Sequence, residues 1–374
     1  MQRLPAVFMR GGTSKALMFH LRDLPADRST WDALFLSAMG SPDPHGRQLN
    51  GMGGGVSSLS KVCVLGPPSR PDADLDYTFA QILVTEERVD YSGNCGNMSS
   101  AVGPFAIEEG LVPAQEGEMC VRIHNTNTRK IINSTFHVKD GRAVVEGELE
   151  IPGVAGTGSP VRLDFLAPGG AVTGRLLPTG NPRDVLDIPG IGKIEASMVD
   201  AANPCVFLSA KDLGLKGTEM PEDLDRNKAL LERIATIRCH ASVAMGIAKT
   251  VDEARKKSMP QIGFVSAPQE AVTLSGDRLT EASADLTVRI ISNGQPHRAL
   301  PLTGSLCTAV AAGIEGTIPH QLARAAKNGT LRLAMPSGVL TVGAEVVREA
   351  GGWRAVRGSF YRTARRLFEG YVYP

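Results

Sequence analysis

Two short stretches of this chain are near-copies of each other and differ at one atom that matters. The first is Cys95-Gly96-Asn97-Met98-Ser99-Ser100-Ala101-Val102 and the second is Thr303-Gly304-Ser305-Leu306-Cys307-Thr308-Ala309-Val310. Each reads as the opening of a helix built from small residues. A cysteine at a helix N-terminus lies at the positive end of the dipole, which lowers a thiol pKa and lets it exchange a proton near neutrality. Glycines on both sides, Gly93 and Gly96, allow tight turns around it. A buried packing thiol is the plainer alternative. The second stretch offers the same helix-end anion site with a hydroxyl in place of the thiol. Two such ends suit a substrate with carboxylates at both ends. Cys307 aligns with Ser99, a turn into the helix, and reads as packing.

With one thiol missing, another group must handle the second proton. Lys61 ends a glycine- and serine-rich loop, Gly51-Met52-Gly53-Gly54-Gly55-Val56-Ser57-Ser58-Leu59-Ser60, and enters the apolar run Val62–Leu65. A lysine set against an apolar strand can be desolvated into a usable base; a strand-start lysine reaching back to water is the alternative. Arg10-Gly11-Gly12-Thr13-Ser14-Lys15 joins two strand-like runs, and its cations and hydroxyls suit a carboxylate, as they would also suit an exposed hairpin turn. Asn94, next to Cys95, belongs to the same polar turn.

Other familiar chemistries fail. Gly51-Met52-Gly53 continues to Val56, so it is no dinucleotide fingerprint, and no Walker lysine follows either glycine loop. There is no H-E-x-x-H and no G-x-S-x-G. No two of the six cysteines form a C-x-x-C pair, so zinc ribbons and dithiol redox motifs lack support; neither a metal nor a cofactor is expected. Cys239-His240 reads as helix packing, whereas His297-Arg298 could meet a carboxylate. A net charge of +1 gives no basic face for nucleic acid or a membrane surface. Scattered cysteines read as reduced thiols. The start, Met1-Gln2-Arg3-Leu4-Pro5, runs straight into a strand-like stretch, and no apolar run approaches a membrane span. A soluble cytoplasmic protein is the expectation. A homodimer is compatible with the sequence, which does not fix the oligomeric state.

The elements that must position these residues are mostly short strands, read from β-branched content and flanking turn residues. In the first half they fall at Ala6–Met9, Ala16–Phe19, Lys61–Leu65, Tyr77–Val84, Cys120–Ile123, Ile131–Val138 and Ala143–Glu150. Helices are expected over Trp31–Met39, capped by Ser29-Thr30, and over Asn97–Glu109. The second half follows the same pattern, with strands near Lys193–Val199, Cys205–Ser209, Gln261–Val265, Asp285–Ile291, Leu331–Ala334, Val339–Val347, Trp353–Val356 and Ser359–Val372. A helix over Asp223–Ala244 shows an apolar stripe of Leu224, Leu230, Leu231, Ile234 and Ile237. The Pro/Gly-rich stretch Pro152–Pro182 is the candidate linker. The fold class is α/β (α+β): two pseudo-symmetric lobes of mixed, largely antiparallel sheet, each wrapped round a central helix. The N-terminal lobe, 1–177, holds Lys61 and Cys95. The C-terminal lobe, 178–374, holds Thr303-Gly304-Ser305, with the last strand free to return to the N-terminal lobe.

Several motifs together carry a family likeness: Met9-Arg10-Gly11-Gly12-Thr13-Ser14-Lys15, Gly40-Ser41-Pro42-Asp43-Pro44, Asn50-Gly51-Met52-Gly53-Gly54, Ser92-Gly93-Asn94-Cys95-Gly96-Asn97, Val102-Gly103-Pro104-Phe105-Ala106 and Pro178-Thr179-Gly180-Asn181. Nearly end to end, the chain resembles the PrpF family of isomerases, which share the two-lobed diaminopimelate-epimerase-like fold. The resemblance implies a cofactor-independent isomerase that moves a proton along the allylic system of a small unsaturated di- or tricarboxylate, such as 2-methylaconitate, aconitate, methylitaconate or 4-oxalomesaconate. It places the proton-transfer pair on Lys61 and Cys95. Substrate contacts fall on Arg10, Thr13, Ser14, Lys15, Ser57, Ser58, Asn94, Gly96, Asn97, Met98, Thr303, Gly304 and Ser305. A double-bond shift and a cis–trans change can pass through one dienolate, and both stay open. So do two other readings, an amino-acid racemase or epimerase and a non-catalytic polycarboxylate-binding accessory protein.

Overall fold

A computed structural model describes residues 3–325 and 329–374. The chain divides into two compact units. Unit 1 comprises Met1–Asp164 and Tyr361–Pro374, and unit 2 comprises Phe165–Phe360.

Unit 1 begins with a hairpin, β1 (Leu4–Gly11) and β2 (Ser14–His20), followed by helix α1 (Trp31–Met39). Then come β3 (Lys61–Gly66), β4 (Leu75–Ile82), helix α2 (Gly96–Glu108), β5 (Gly117–Asn125) and β6 (Lys130–Lys139). Strand β2 lies parallel to β3, β3 antiparallel to β4, β4 parallel to β5, and β5 antiparallel to β6. Unit 2 repeats this order. Strands β7 (Gly192–Ala201) and β8 (Asn203–Ser209) form a hairpin, helices α3 (Pro221–Arg226) and α4 (Lys228–Ala244) follow, then β9 (Gln261–Ser266), β10 (Leu286–Ser292), helix α5 (Leu302–Ala312), β11 (Thr330–Met335) and β12 (Gly338–Glu349). The pairings have the same senses: β8 parallel to β9, β9 antiparallel to β10, β10 parallel to β11, β11 antiparallel to β12. The closing strand β13 (Ala364–Val372) pairs with β1 in unit 1. The expected α/β class, with mixed and largely antiparallel pairing round a central helix in each half, is the observed one.

Strand alternation separates the two faces of each sheet. In unit 1, Leu17, Phe19, Val62, Val64 and Ile82 turn to one side and bury Trp31 and Phe35 of α1. In unit 2, Val206, Leu208, Ile262 and Phe264 bury Leu230, Ile234 and Ile237 of α4 in the same way. The opposite face of each sheet holds the small-residue helix. Every residue from Gly96 to Ile107 in α2 and from Leu302 to Ala311 in α5 is buried. A helix enclosed on all sides needs small side chains where strands pass close. A Cβ on Gly103 would lie 2.6 Å from the Phe136 ring and 2.8 Å from Ser134 Oγ.

Four elements depart from their sequence expectation, each for a local reason. Trp31–Met39 is the helix read from sequence, with Thr30 at its N-cap but without a side-chain cap bond; Asp27 instead caps the single turn Arg28–Thr30 ahead of it, accepting from Ser29 N (3.0 Å) and Ser29 Oγ (2.7 Å). The helix expected over Asp223–Ala244 is two, because Asn227 leaves helical geometry and its side chain caps α4 by accepting from Leu230 N. The strand expected over Ala143–Glu150 survives only as the short strands Arg142–Ala143 and Leu149–Glu150. The long final strand is interrupted at Thr363, whose carbonyl is drawn off by Gly12 N (2.9 Å) and Arg10 Nη1 (2.9 Å).

Strand β13 is fastened to α2 by ions. Arg366 donates to Glu108 (2.9 Å), Glu109 (2.8 Å) and Glu369 (2.6 Å), and Glu109 also meets His20 at 3.1 Å. Burial pushes the Glu109 carboxyl up, but the bonds from His20 and Arg366 outweigh it and hold the group below its ordinary value. A depressed carboxylate contributes stability that is complete above its unfolded pKa, about 4.3, and is lost as pH falls through the folded value. Arg366→Met is therefore expected to cost about 2 kcal/mol at pH 7, with the difference from wild type shrinking below about pH 4. Urea unfolding at several pH values checks this; a pH-independent difference would contradict it.

Candidate active site

The catalytic candidates of unit 1 share one face of its sheet. Ala16 of β2 is the register partner of Lys61, and Ser14 lies two residues earlier on the same side. Lys61 opens β3 and is only 7% exposed. Its Nζ donates to Gln81 Oε1 at 2.6 Å, directly across from it on β4, and lies 5.0 Å over the Phe79 ring. Gln81 is itself held, its Nε2 donating to the carbonyls of Ser57 (2.9 Å) and Ser60 (3.0 Å). The lysine thus has a fixed head rather than the solvated one of a strand-start lysine.

The loop before Lys61 is built on Gln48. This buried residue accepts from Gly55 N (2.9 Å) and Ser60 Oγ (2.5 Å) and donates to Ser41 Oγ (2.8 Å). Residues 51–53 zip onto the end of α1, with Met52 N donating to Ala38 O and Gly53 N to Met39 O. A Cβ on Gly51 would lie 2.1 Å from Gly40 N, which is why the Gly-x-Gly pattern stands there. Ser57 sits buried in a single helical turn, Ser57–Leu59, and Ser58 is half-buried beside it.

Cys95 is the N-cap of α2, in extended geometry. Its Sγ reaches Ser14 Oγ at 3.9 Å. The N–H groups of the first turn, from Gly96, Asn97 and Met98, have no partner within the helix, as at any helix start. Asn97 ties the turn down: its Nδ2 donates to Thr13 Oγ1 (3.1 Å) and its Oδ1 accepts from Arg362 Nε (3.1 Å). Burial pushes the Arg362 guanidinium down to about 10. Asn94 accepts from Asn125 Nδ2 at 3.3 Å. Cys63, two residues beyond Lys61, senses both candidates. Burial pushes its thiol well up, the Cys95 charge pushes the same way and Lys61 opposes. Cys95, Ser14, Thr13 and Asn97 are therefore brought together around one helix end, and Lys61 lies on the sheet face that carries Ser14.

Arg10 and Lys15 are not brought to that face. They pair with each other across the hairpin on the side away from α2. Arg10 Nη1 donates to Gly12 O (3.0 Å) and Thr363 O, and Lys15 Nζ lies 5.6 Å over Phe8. Both make hairpin contacts instead. Gly11, the residue next to Arg10, faces α2, where a Cβ would lie 2.6 Å from Asn97 O.

In unit 2, helix α5 starts at Leu302, capped by Pro301, so Thr303 lies inside the first turn where Cys95 lies just outside its helix. Thr303 Oγ1 accepts from Asn203 Nδ2 at 3.0 Å. Ser305 donates back to Pro301 O (3.0 Å), and Gly304 packs against Gln261. Cys307 donates to Val199 O at 3.3 Å and is buried. Of the remaining sequence candidates, Cys239 is packed with Ala248 and Ala254, and Arg298 is paired with Glu222 at 2.8 Å. Among the described residues no cluster of His, Cys, Asp and Glu could hold a metal ion, and no helix is long and apolar enough to cross a membrane. Sequence reasoning missed Gln48, Gln81, Asn203, Gln261 and Arg362. Isolated amides carry no spacing signal, and only strand register shows that Gln81 and Gln261 face the buried helices.

Comparison with known proteins identifies the relatives of the chain. The chain is 43% identical to the 3-methylitaconate isomerase of Eubacterium barkeri, over 99% of this chain and 97% of that one. It is 39% identical to the 2-methyl-aconitate isomerase of Shewanella oneidensis, over 99% and 96%. Among solved structures, that of a methylitaconate-delta-isomerase superimposes with a TM-score of 0.79 at 43% identity, covering 99% of this chain and 95% of that one. A model of the PrpF protein family matches residues 1–374. The chain belongs to the PrpF family.

Proposed function

We propose that this protein is a cofactor-independent isomerase of a small unsaturated di- or tricarboxylate, acting by 1,3-allylic proton transfer with Lys61 and Cys95 as the acid–base pair. The observation that carries the reading is a buried lysine, fixed by Gln81, on the sheet face that also receives the N-terminal cysteine of α2. Relatives named for methylitaconate and methylaconitate isomerisation support the reaction class. They are named for two different acids, so the individual substrate is left to experiment.

A C–H bond beside both a carboxylate and a C=C is weakly acidic, because its anion is an extended dienolate. Lys61 takes that proton as the C–H bond breaks and the electron pair moves into the allyl system. Cys95, or Lys61 again, returns a proton to the far carbon, and the double bond ends one position over. No electrons are gained or lost. The N–H groups at the start of α2 (Gly96, Asn97, Met98) stabilise the developing negative charge. Thr13, Ser14, Ser57, Ser58 and Asn94 are assigned to substrate contact in unit 1, and Thr303, Gly304 and Ser305 to carboxylate binding in unit 2. A two-base racemase would need a second proton carrier at Thr303, whose hydroxyl is instead bound by Asn203.

The test is proton NMR of the enzyme with aconitate isomers, 2-methylaconitate, methylitaconate and 4-oxalomesaconate. Isomerisation of one or more of them is expected. Binding without turnover or solvent exchange on all of them would move the protein to the accessory-binding reading.

A further inference from the structure

Lys61 and Gln81 face each other across β3 and β4 as register partners. The side-chain amide of Gln81 fits there only one way round. Its Nε2 donates to the carbonyls of Ser57 (2.9 Å), Ser60 (3.0 Å) and Ile82 (3.3 Å). A carbonyl oxygen can only accept, so these groups fix the nitrogen end of the amide and leave Oε1 to Lys61 Nζ at 2.6 Å. Reversing the amide would set its oxygen against those oxygens. Gln81 is buried, so water would not replace the lost bonds.

This fixed acceptor is uncharged, which matters for a base. A lysine that takes a proton passes from an amine with two N–H bonds and a lone pair to an ammonium with three N–H bonds. One N–H can point at Oε1 in both forms. In the amine, that bond leaves the lone pair turned away from Gln81. A carboxylate in the same place would favour the ammonium and hold the proton on it. Lys61 makes no ion pair among the described residues. The other fixed neighbour of its Nζ is the Phe79 ring, at 5.0 Å.

We propose that Gln81 is a positioning residue for Lys61. Its amide oxygen holds the amine in both protonation states, and its Nε2 ties that amine to the turn that carries Ser57 and Ser58. An uncharged acceptor lets one lysine both take and return a proton. The assignment rests on the isomerase reading for the reaction, but one arm of its test needs no turnover.

The variants are Gln81→Glu, which keeps the size and makes the acceptor anionic, and Gln81→Met, which removes the acceptor. The titratable groups around Lys61 are Cys63 on its own strand, Tyr77 on β4, Cys95 at the start of α2, and Asp90, which pairs with Gln81 on its far side. All of them are common to wild type and variants, so a difference between pH profiles reports the change at position 81. In Gln81→Glu the acid limb of kcat against pH should move up by about one unit or more, with activity recovering at high pH. In Gln81→Met kcat should fall about tenfold at every pH while KM stays within about threefold. The arm without turnover is heteronuclear NMR of the full-length protein labelled at the lysine Cε, with the Lys61 signal assigned by its loss in Lys61→Ala. Its titration should move up in Gln81→Glu by the same amount. A folded Gln81→Glu protein whose Lys61 titrates as in wild type would overturn the assignment. So would wild-type kcat in Gln81→Met, which decides the matter if the glutamate variant does not fold. A raised Lys61 titration in Gln81→Glu, with a wild type that isomerises none of the acids, would sustain the hold on the amine and sink the isomerase reading instead. Wild-type turnover with an unmoved titration would do the reverse.

Discussion

Lys61→Ala is expected to lower kcat by about 10²–10⁴-fold on the acid the wild type isomerises, with KM changed far less. The head of Lys61 is fixed at 2.6 Å from Gln81 Oε1, so its removal deletes the proposed proton acceptor and leaves the backbone in place. The protein should remain folded, because the neighbouring β3 residues Val62 and Val64, buried against α1, are untouched. Gln81 serves as an internal control. Gln81→Leu removes the anchor but keeps the amine, so activity should fall by less than in Lys61→Ala. Steady-state kinetics with melting curves on both variants decides the matter. Lys61→Ala turning over at the wild-type rate would remove Lys61 from the chemistry.

Gly51→Ala carries the largest expected stability loss. The added Cβ would sit 2.1 Å from Gly40 N, 2.3 Å from Met39 C and 2.7 Å from Gly40 Cα. All three are backbone atoms at the end of α1, so no side chain can swing away. The helix end and the loop must separate, breaking the bonds from Met52 N and Gly53 N. A cost of about 3 kcal/mol follows, or roughly 5–10 °C in Tm. Gly46 makes the contrast: its φ is +67° and a Cβ there would meet nothing within 4 Å. Gly46→Ala should cost only the left-handed backbone strain, about 1 kcal/mol. Thermal unfolding of the pair checks this, and equal losses would show that steric overlap at Gly51 is relieved cheaply. Because the same loop delivers Ser57 and Ser60 to Gln81, Gly51→Ala should also lower activity at temperatures where it stays folded.

Local pattern carries much of this fold. The apolar run Val62–Leu65, the Trp31–Met39 helix and the small-residue helix after Cys95 are legible because each depends on residues adjacent in sequence. The repeat linking Cys95 to Thr303 is legible too, since it rests on a continuous run of aligned positions. The break at Asn227 is not, because an asparagine inside a helical period reads as a polar face until its side chain is seen to cap α4. The glutamines that organise the site are invisible for a different reason. Gln48 reaches a partner 7 residues away, and Gln261 one 56 residues away on a neighbouring strand. Gln81 likewise serves Lys61 from the strand beside it. No periodicity records which face of a sheet such residues take. Arg10 and Lys15 show the converse: their composition suggests an anion site, while strand alternation turns them away from Ser14.

The most direct test of the central claim is proton NMR in D2O, following isomer formation and deuterium content together for wild type and Lys61→Ala. Deuterium at an allylic carbon of the product in the wild type, with both isomerisation and exchange lost in Lys61→Ala, is the predicted result. Isomerisation and exchange at the wild-type rate in Lys61→Ala would contradict it.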